Sequence, residues 1–508
     1  MRRVAILAAA LALGGCAVGP HYREPVAAPA TAAPLLTGAT PGRDPAGELP
    51  PHWWSLYDDA ALDALVAEAL AHNSDLRVAA ANLERAQAVL REQRGALLPT
   101  TTLTTAAVYG RGGAGQGLNT NAVIGSAAGG TTIQPPSTGG RTEWVYRGGG
   151  TFAYEVDLFG RVRRSLQAAR ADLAATEATR DATRVTVAAA TTQAYLDACA
   201  IGRQIDVAQS SLKIVGESYA ITKRQLELGA VSDYEVSRVG VLVEQTRALV
   251  PQLQGLRAAA LTDLTVLLGR PATQVPDAAA LCRTVPVLKA PIPVGDGAAL
   301  LRRRPDVRAA ERSLAGDVAR VGVATAALFP SITLGGALNA TGINFDTATS
   351  RTGVSFGLGP LISWNFPNLI AARARMQQAG ADARASLASF DGTVLTALGE
   401  AEKALSNYQA ELARNAALAQ AQAASQRAYE LSGARLKYGA LSQLEQIDVQ
   451  RDLISAQAAL AASDATLVAN QVAVFRALGG GWQDAPAIDP APRAIEGTAG
   501  LKLKAPQP

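Results

Sequence analysis

The chain has 508 residues, of which 48% are hydrophobic and 18% are charged, and its formal net charge is +4. Two of its 47 basic residues, Arg2 and Arg3, lie in a segment that we expect to be removed, so 45 basic residues then oppose 43 acidic ones. This near balance excludes the strongly basic surface that is typical of nucleic-acid binding.

The N-terminus predicts a secretory signal peptide over residues 1–15. A basic start precedes the apolar residues 4–13, a stretch that is too short to span a bilayer. The sequence Leu13-Gly14-Gly15-Cys16 fits a bacterial lipobox, which makes Cys16 the predicted lipidation site. An ordinary signal peptide with a chance cysteine is the alternative. Acyl chains would hold the protein at a membrane, because each buried CH2 contributes roughly 0.8 kcal/mol.

Beyond Cys16, the chain contains only two more cysteines, Cys199 and Cys282. They could pair in an oxidising periplasm, but we expect two cysteines this far apart to be separate small core residues. No later apolar run reaches the roughly 20 residues of a transmembrane helix. A membrane crossing would therefore require β-strands.

The elements of the first half follow in a regular order. Residues 16–51, rich in Pro, Ala and Gly, predict a lipidated, extended tether. Apolar residues at helical spacing predict one helix around residues 62–70 and a second over 73–98, which Pro99 ends. The period then changes from 3.6 to 2, as expected for strands. The remaining predicted elements of this half are strands near 100–109 and 143–158, a low-complexity loop between them, and long helices over 161–228 and 231–268.

The second half of the chain repeats the first. Residues 73–107 align without a gap on residues 304–338, with eleven of 35 positions identical, and a later offset of 210 relates residues 228–232 to 438–442. A period this long indicates duplication of a whole array rather than a short solenoid unit. The predicted domains are a first repeat over 52–290, a second repeat over 291–480 with strands near 331–339 and 353–361 and long helices over 369–437 and 441–478, and a disordered tail over 481–508.

The four predicted strands have roughly the ten residues of membrane-spanning β-strands. Four strands cannot close a barrel, and an open sheet edge is not tolerated in lipid. A barrel built from them must therefore be shared between several copies of the chain.

Four motifs carry a family resemblance. They lie at residues 16–22 (CAVGPHY), 53–59 (WWSLYDD), 156–161 (VDLFGR) and 301–307 (LRRRPDV). Together they resemble the TolC-like outer membrane factors, or outer membrane efflux proteins, and in particular the lipoprotein branch associated with multidrug efflux by pumps of the resistance-nodulation-division type. The resemblance implies an α+β membrane protein: a homotrimer with a 12-stranded transmembrane barrel, four strands per chain, continuous with a coiled-coil α-helical periplasmic tunnel.

The function that the resemblance implies is an outer-membrane exit channel for small molecules. Its implied partners are a periplasmic adaptor protein, an inner-membrane transporter and outer-membrane lipid, with no cofactor and no nucleic acid. Two alternatives stay open: the duct of a type I protein secretion system, and a structural coiled-coil lipoprotein without a pore. The junction at residues 365–368 (NFPN) departs from the Gly-rich turn of many relatives.

We do not expect an enzyme. Residues 353–357 (GVSFG) match the GxSxG pattern of hydrolases, but that reading requires a histidine later in the chain. His21, His52 and His72 all precede the pattern, and the sequence has no phosphate-binding P-loop and no HExxH zinc motif.

Two turns between long helices are the predicted contact sites for the adaptor. Each has a Gly that ends one helix and a Ser that can cap the next, so good turn chemistry alone is the simpler explanation. The resemblance adds that the tips face the periplasm. The tip residues are Leu228, Gly229, Ala230, Val231 and Ser232 in the first repeat, and Tyr438, Gly439, Ala440, Leu441 and Ser442 in the second.

The predicted periplasmic constriction lies just beyond the tips. Glu445 and Asp448 are three residues apart and share a helix face, and the resemblance implies that acidic residues here line the pore. The matching residues of the first repeat are Glu235 and Arg238. We hypothesise that Arg238 pairs with Glu445 or Asp448 and holds the channel closed; solvated surface charges are the alternative.

Overall fold

The computed structural model describes residues 18–25, 43–44, 49–111 and 142–488. The predicted signal peptide, Cys16, most of the low-complexity loop and the end of the predicted tail lie outside these residues. In the first half, the described elements are β1 (Arg43–Asp44), a 3-10 helix (Trp53–Tyr57), α1 (Ala60–His72), α2 (Ser74–Gly95), β2 (Thr100–Arg111), β3 (Thr142–Val156), α3 (Arg161–Glu227) and α4 (Asp233–Leu267).

The second half contains the same series of elements with short additions. Its described elements are α5 (Asp277–Leu281), β4 (Ile292–Pro293), α6 (Gly297–Arg303), α7 (Pro305–Ala326), β5 (Ser331–Gly342), α8 (Phe345–Thr349), β6 (Val354–Ser363), α9 (Ile370–Lys437) and α10 (Gln443–Ala477). The rods α3 and α9 contain 67 and 68 residues. Pro251 lies inside α4, which continues through it.

The described chain divides into two compact units. Unit 1 consists of residues 18–25, 84–111, 142–176 and 310–390, and unit 2 of residues 43–44, 49–83, 177–309 and 391–488. Unit 1 contains the four-stranded sheet, whose order is β2-β3-β5-β6 and whose neighbours are all antiparallel. The strands of the two halves therefore pair directly, through β3 and β5.

Unit 2 has a hydrophobic core that both repeats supply. Trp53 is fully buried and stacks on Phe475 of α10 with 4.5 Å between ring centroids. Leu62, Leu65, Val66 and Leu70 are all buried, as their helical spacing predicts. Aromatic and aliphatic side chains of this size stabilise a fold by roughly 1.5–3 kcal/mol each when fully buried.

The helix α10 is the one described helix with the length and apolar composition of a membrane span. Its most apolar window has a mean hydropathy of 1.3 and is 39% buried. Val468, Val472 and Phe475 of this helix lie in the core of unit 2. A core helix meets the same test of length and composition, so the test alone does not assign a membrane span to α10.

In each repeat a long rod is followed by a return helix, α4 in the first repeat and α10 in the second. The residue before the short helix α2 or α7 donates a hydrogen bond to the last turn of that return helix. In the first repeat, Asn73 Nδ2 donates to the carbonyl of Leu267 at 2.9 Å. In the second, Arg304 Nη1 donates to the carbonyl of Ala477 at 3.0 Å. These bonds satisfy carbonyls that a helix end leaves without partners. Asn73 and Arg304 therefore cap equivalent helix ends with different side chains. Within the motif at residues 301–307, Arg304 has this structural role.

Three expectations from the sequence need correction. Cys199 and Cys282 form a disulfide and are not separate core residues. The predicted tether is partly packed: within unit 1, the Val18 amide donates to the Phe159 carbonyl at 3.2 Å, and Tyr22 bonds to Glu311. The disordered tail predicted to begin at residue 481 begins too early in the sequence, because Trp482 in unit 2 donates to the carbonyl of Arg303 at 3.1 Å. Local composition does not reveal such distant partners.

Candidate functional site

The two predicted tips have the same backbone structure. Gly229 and Gly439 adopt φ values of +68° and +70°, the left-handed region that favours glycine. The Gly229 amide donates to the carbonyl of Leu226 at 2.9 Å and the Ala230 amide to that of Gln225 at 2.8 Å. The corresponding bonds in the second repeat measure 3.0 and 2.9 Å. This pair of bonds is the Schellman motif, and it ends both rods in the same way.

A capping box begins each return helix. The Ser232 amide donates to Glu235 Oε2 at 2.9 Å, and the Ser442 amide donates to Glu445 Oε2 at the same distance. These hydrogen bonds from the serines hold the pKa of both glutamates below the usual range. The carboxylates also lie at helix N-termini, where negative charge is favoured. Tip geometry is therefore fixed by bonds within five residues of each turn.

The tips are exposed in the single chain. The side chains of Leu228 and Tyr438 are 78% and 83% exposed, whereas Val231 and Leu441 are partly covered. Large apolar side chains at a rigid turn are well placed to contact another protein.

Two of the predicted constriction residues form an ion pair, and the other two cap their own helices. Arg238 Nη2 lies 3.3 Å from Asp448 Oδ1, which joins the return helices of the two repeats across 210 residues. Glu445 is not the partner of Arg238, since its carboxylate accepts from Ser442. Glu235 is engaged by Ser232 in the same way. The structure therefore pairs Arg238 with Asp448 and not with Glu445.

Other residues near the tips were missed from the sequence. The guanidinium of Arg238 lies 6.0 Å from the centre of the Tyr234 ring, one helical turn away. Further from the tips, Gln450 Nε2 donates to Ser218 Oγ at 2.6 Å in a buried contact between α10 of the second repeat and α3 of the first. The spacing of Tyr234 and Arg238 could have indicated the first contact. Nothing local identifies Ser218 and Gln450 as partners.

The sheet of unit 1 has two chemically different faces. Residues that lie opposite each other in antiparallel strands share a face, so the register assigns every side chain. One row contains Leu103, Leu338 and Phe356. All six aromatic residues of the described strands lie on this apolar face: Tyr109, Trp144, Tyr146, Phe152, Tyr154 and Phe356.

The opposite face is mainly Thr, Ser, Gly and Ala. It carries three of the four charged residues of the described strands, namely Glu143, Arg147 and Glu155; the fourth is the terminal Arg111. It also carries Val108, Val145 and Leu361. The apolar face is the more exposed one, with Leu103 and Phe356 81% and 85% exposed.

The GxSxG pattern lies in this sheet. Val354–Ser363 forms β6, and Ser355 pairs with Asn339 of β5. A hydrolase nucleophile requires a sharp turn from a strand into a helix at the serine. The extended backbone at Ser355 has a different structure.

Comparison with known proteins gives a consistent result over nearly the whole chain. The chain is 32% identical over 485 residues to the probable efflux pump outer membrane protein TtgC of Pseudomonas putida, covering 94% of each chain. It is 31% identical over 498 residues to outer membrane protein OprJ of Pseudomonas aeruginosa, covering 95% of this chain and 96% of the relative.

A solved structure of the outer-membrane channel OprN has a TM-score of 0.81 and 34% identity to this chain, covering 92% of it and 100% of the OprN chain. The family model described as outer membrane efflux protein matches residues 65–270 and 298–480, one segment in each repeat. These matches confirm the resemblance that the sequence motifs carry, and this outer-membrane chain belongs to the outer membrane efflux protein family.

Proposed function

We propose that the protein is the outer-membrane exit channel of a tripartite efflux system and passes small molecules out of the cell. The observation that carries this proposal is the sheet whose exposed face holds all the aromatic side chains of its described strands. A soluble protein would leave such a face facing water at a large free-energy penalty. In a bilayer the same face contacts lipid tails, and the polar face lines a passage.

The distribution of aromatic residues fits the two interfaces of a membrane. Tyr109 and Trp144 are register partners near one end of the sheet, with 5.2 Å between ring centroids. Beyond the other end, Trp364 stacks on Phe366 at 4.6 Å. Aromatic girdles flank the apolar band of outer-membrane barrels.

The edges of the sheet support a trimer. In the described chain, β2 and β6 each pair with one neighbour, so each has one edge without a strand beside it. Unpaired backbone groups are not tolerated in lipid. Pairing β6 of one copy with β2 of the next gives a closed barrel, and three copies give the 12 strands of the family. We propose that this barrel continues into a tunnel of the paired rods.

The tips are the proposed contact site for a periplasmic adaptor, which in turn recruits an inner-membrane transporter of the resistance-nodulation-division type. Their duplicated geometry gives each trimer six similar turns at which an adaptor could bind. The Arg238–Asp448 pair is the proposed latch, because it joins the two hairpins of one chain just beyond the tips. Opening requires that this contact breaks, and no bond-making chemistry is involved.

Two further parts of the proposal rest on residues outside the described ones or on the family alone. We propose that Cys16 is acylated and that acyl chains assist anchoring in the outer membrane. We also propose efflux of small molecules in preference to protein secretion, because the relative TtgC is named as a probable efflux pump protein.

Substitution of neighbouring strand residues tests the membrane face. Phe356→Arg places a charge against lipid, which near the bilayer midplane destabilises the inserted barrel by roughly 2–4 kcal/mol per chain. The variant should therefore abolish trimeric channels in the outer membrane. Ser355→Arg, one residue earlier and on the opposite face, should preserve insertion and alter single-channel conductance. Equal insertion of both variants refutes the barrel. A detergent-extracted wild-type protein without channel activity supports the structural lipoprotein instead.

A further inference from the structure

The short helix α7 of the second repeat has a rod on each side, whereas α2 of the first repeat has only one. Within unit 1, Asp317 of α7 accepts a hydrogen bond from Ser386 of α9, and Arg320 of α7 binds Asp172 of α3 at 2.5 Å. The corresponding helix α2 packs through Leu90 on α3. The duplicated architecture therefore predicts a second neighbour for α2.

Burial confirms that one side of α2 is open in the described chain. Among residues 308–326 of α7, six are buried, but among the matching residues 77–95 of α2 only Leu90 is buried. The same asymmetry distinguishes the rods. Val185 of α3 is buried, and its equivalent in α9, Leu395, is 65% exposed. On α2, Val78 is 61% exposed.

The rods also carry equivalent carboxylates. At the offset of 210, Asp172 and Asp181 of α3 correspond to Asp382 and Asp391 of α9. Within unit 2, Asp181 is nearly buried and bound by Arg308 of α7, and Asp172 is bound by Arg320 within unit 1. Asp382 and Asp391 are exposed, and neither forms an ion pair with a described residue.

Matching arginines stand on α2. Arg77 occupies the position of Arg308, whose partner is Asp181. Arg85 occupies the position of Gly316, where a Cβ would lie 2.9 Å from Asp172 Oδ1. Val89 replaces Arg320, so the cation of the first repeat, Arg85, lies one helical turn earlier, at the position from which a Cβ in α7 would contact Asp172. Neither Arg77 nor Arg85 has an ion-pair partner among the described residues, and the Nε of Arg77 is buried without a hydrogen-bond partner there.

We propose that a second copy of this chain docks its α9 against α2, with Arg77 bound to Asp391 and Arg85 bound to Asp382. The inference rests on the proposed homotrimer and assigns the residues of its helical seam. The contact is head-to-tail: each copy offers α2 on one side and α9 on the other, and such a contact closes into a ring when the rotation permits. The seam within the chain, between α7 and α3, is its template.

Crosslinking of the full-length, detergent-extracted protein tests the seam. Two double variants, Arg77→Cys with Asp391→Cys and Arg85→Cys with Asp382→Cys, are treated with a short bis-maleimide and analysed on a denaturing gel. Each should give covalent dimers and trimers. The matched control, Arg320→Cys with Asp172→Cys, joins residues of one chain and should run as a monomer.

The denaturing gel tests the contact between α2 and α9, and the native mass tests the trimer that the proposed function requires. If both seam variants stay monomeric on the denaturing gel while light scattering gives a native trimer, the seam is wrong and the channel proposal stands. If the wild-type protein is itself a monomer in detergent, both proposals fail. Covalent oligomers of the control would also overturn the seam, because they would remove its template. A variant pair that fails to accumulate leaves the decision to the other pair.

Discussion

Removal of the Cys199–Cys282 disulfide should strongly destabilise the protein. The bond joins α3 to the segment after α5 across 83 residues, and Cys199 is fully buried. The same segment is held by Arg257, whose Nη2 donates to the carbonyl of Cys282 at 2.9 Å. A crosslink stabilises by restricting the unfolded chain, and for a loop of this length the restriction amounts to about 4.6 kcal/mol at 25 °C. Cys282→Ala should lose most of this free energy.

The measurement is guanidinium unfolding in detergent, followed by circular dichroism, with and without dithiothreitol. Cys282→Ala and the double variant with Cys199→Ala should have similar free energies of unfolding, because either substitution removes the whole crosslink. Dithiothreitol should destabilise the wild-type protein and leave the double variant unchanged. If Cys199→Ala alone and Cys282→Ala alone have effects that add up in the double variant, the loss arises from local packing and the reasoning is refuted.

Three further outcomes follow from local geometry. Arg238→Ala should raise the resting conductance in a planar bilayer, although an exposed pair stabilises by only roughly 0.2–1 kcal/mol; an unchanged conductance removes the latch. Gly439→Ala should lower the free energy of unfolding by about 1 kcal/mol because of its positive φ, whereas Gly433→Ala inside α9 should raise it by a similar amount. Burial raises the pKa of Asp306, but the hydrogen bonds and charge of Arg304 outweigh it, so the pKa is lowered. The resulting stabilisation is present above the ordinary Asp pKa and is lost as pH falls through the lower folded value; Asp306→Asn should weaken this acid dependence in unfolding curves, and an unaltered dependence contradicts the assignment.

Much of this architecture is written in short-range patterns. The predicted rod over 161–228 corresponds to Arg161–Glu227, and the strand near 331–339 to Ser331–Gly342. Both depend on side-chain periods that repeat within a few residues. The structure of the tips could equally be predicted from the sequence, because a Gly at the end of a helix and a Ser with Glu three residues later satisfy backbone groups within one turn. The duplication then extends each local prediction to a second place.

The tertiary structure alone decided which distant residues meet. The Cys199–Cys282 disulfide, the choice of Asp448 rather than Glu445 as partner of Arg238, and the packing of Trp482 all join residues more than 80 positions apart. Local composition constrains none of these pairs, since each depends on how whole helices are placed side by side. The strand register belongs to the same class: alternation predicts that a strand has two faces, but only the pairing with its neighbours gathers the aromatic residues onto one of them.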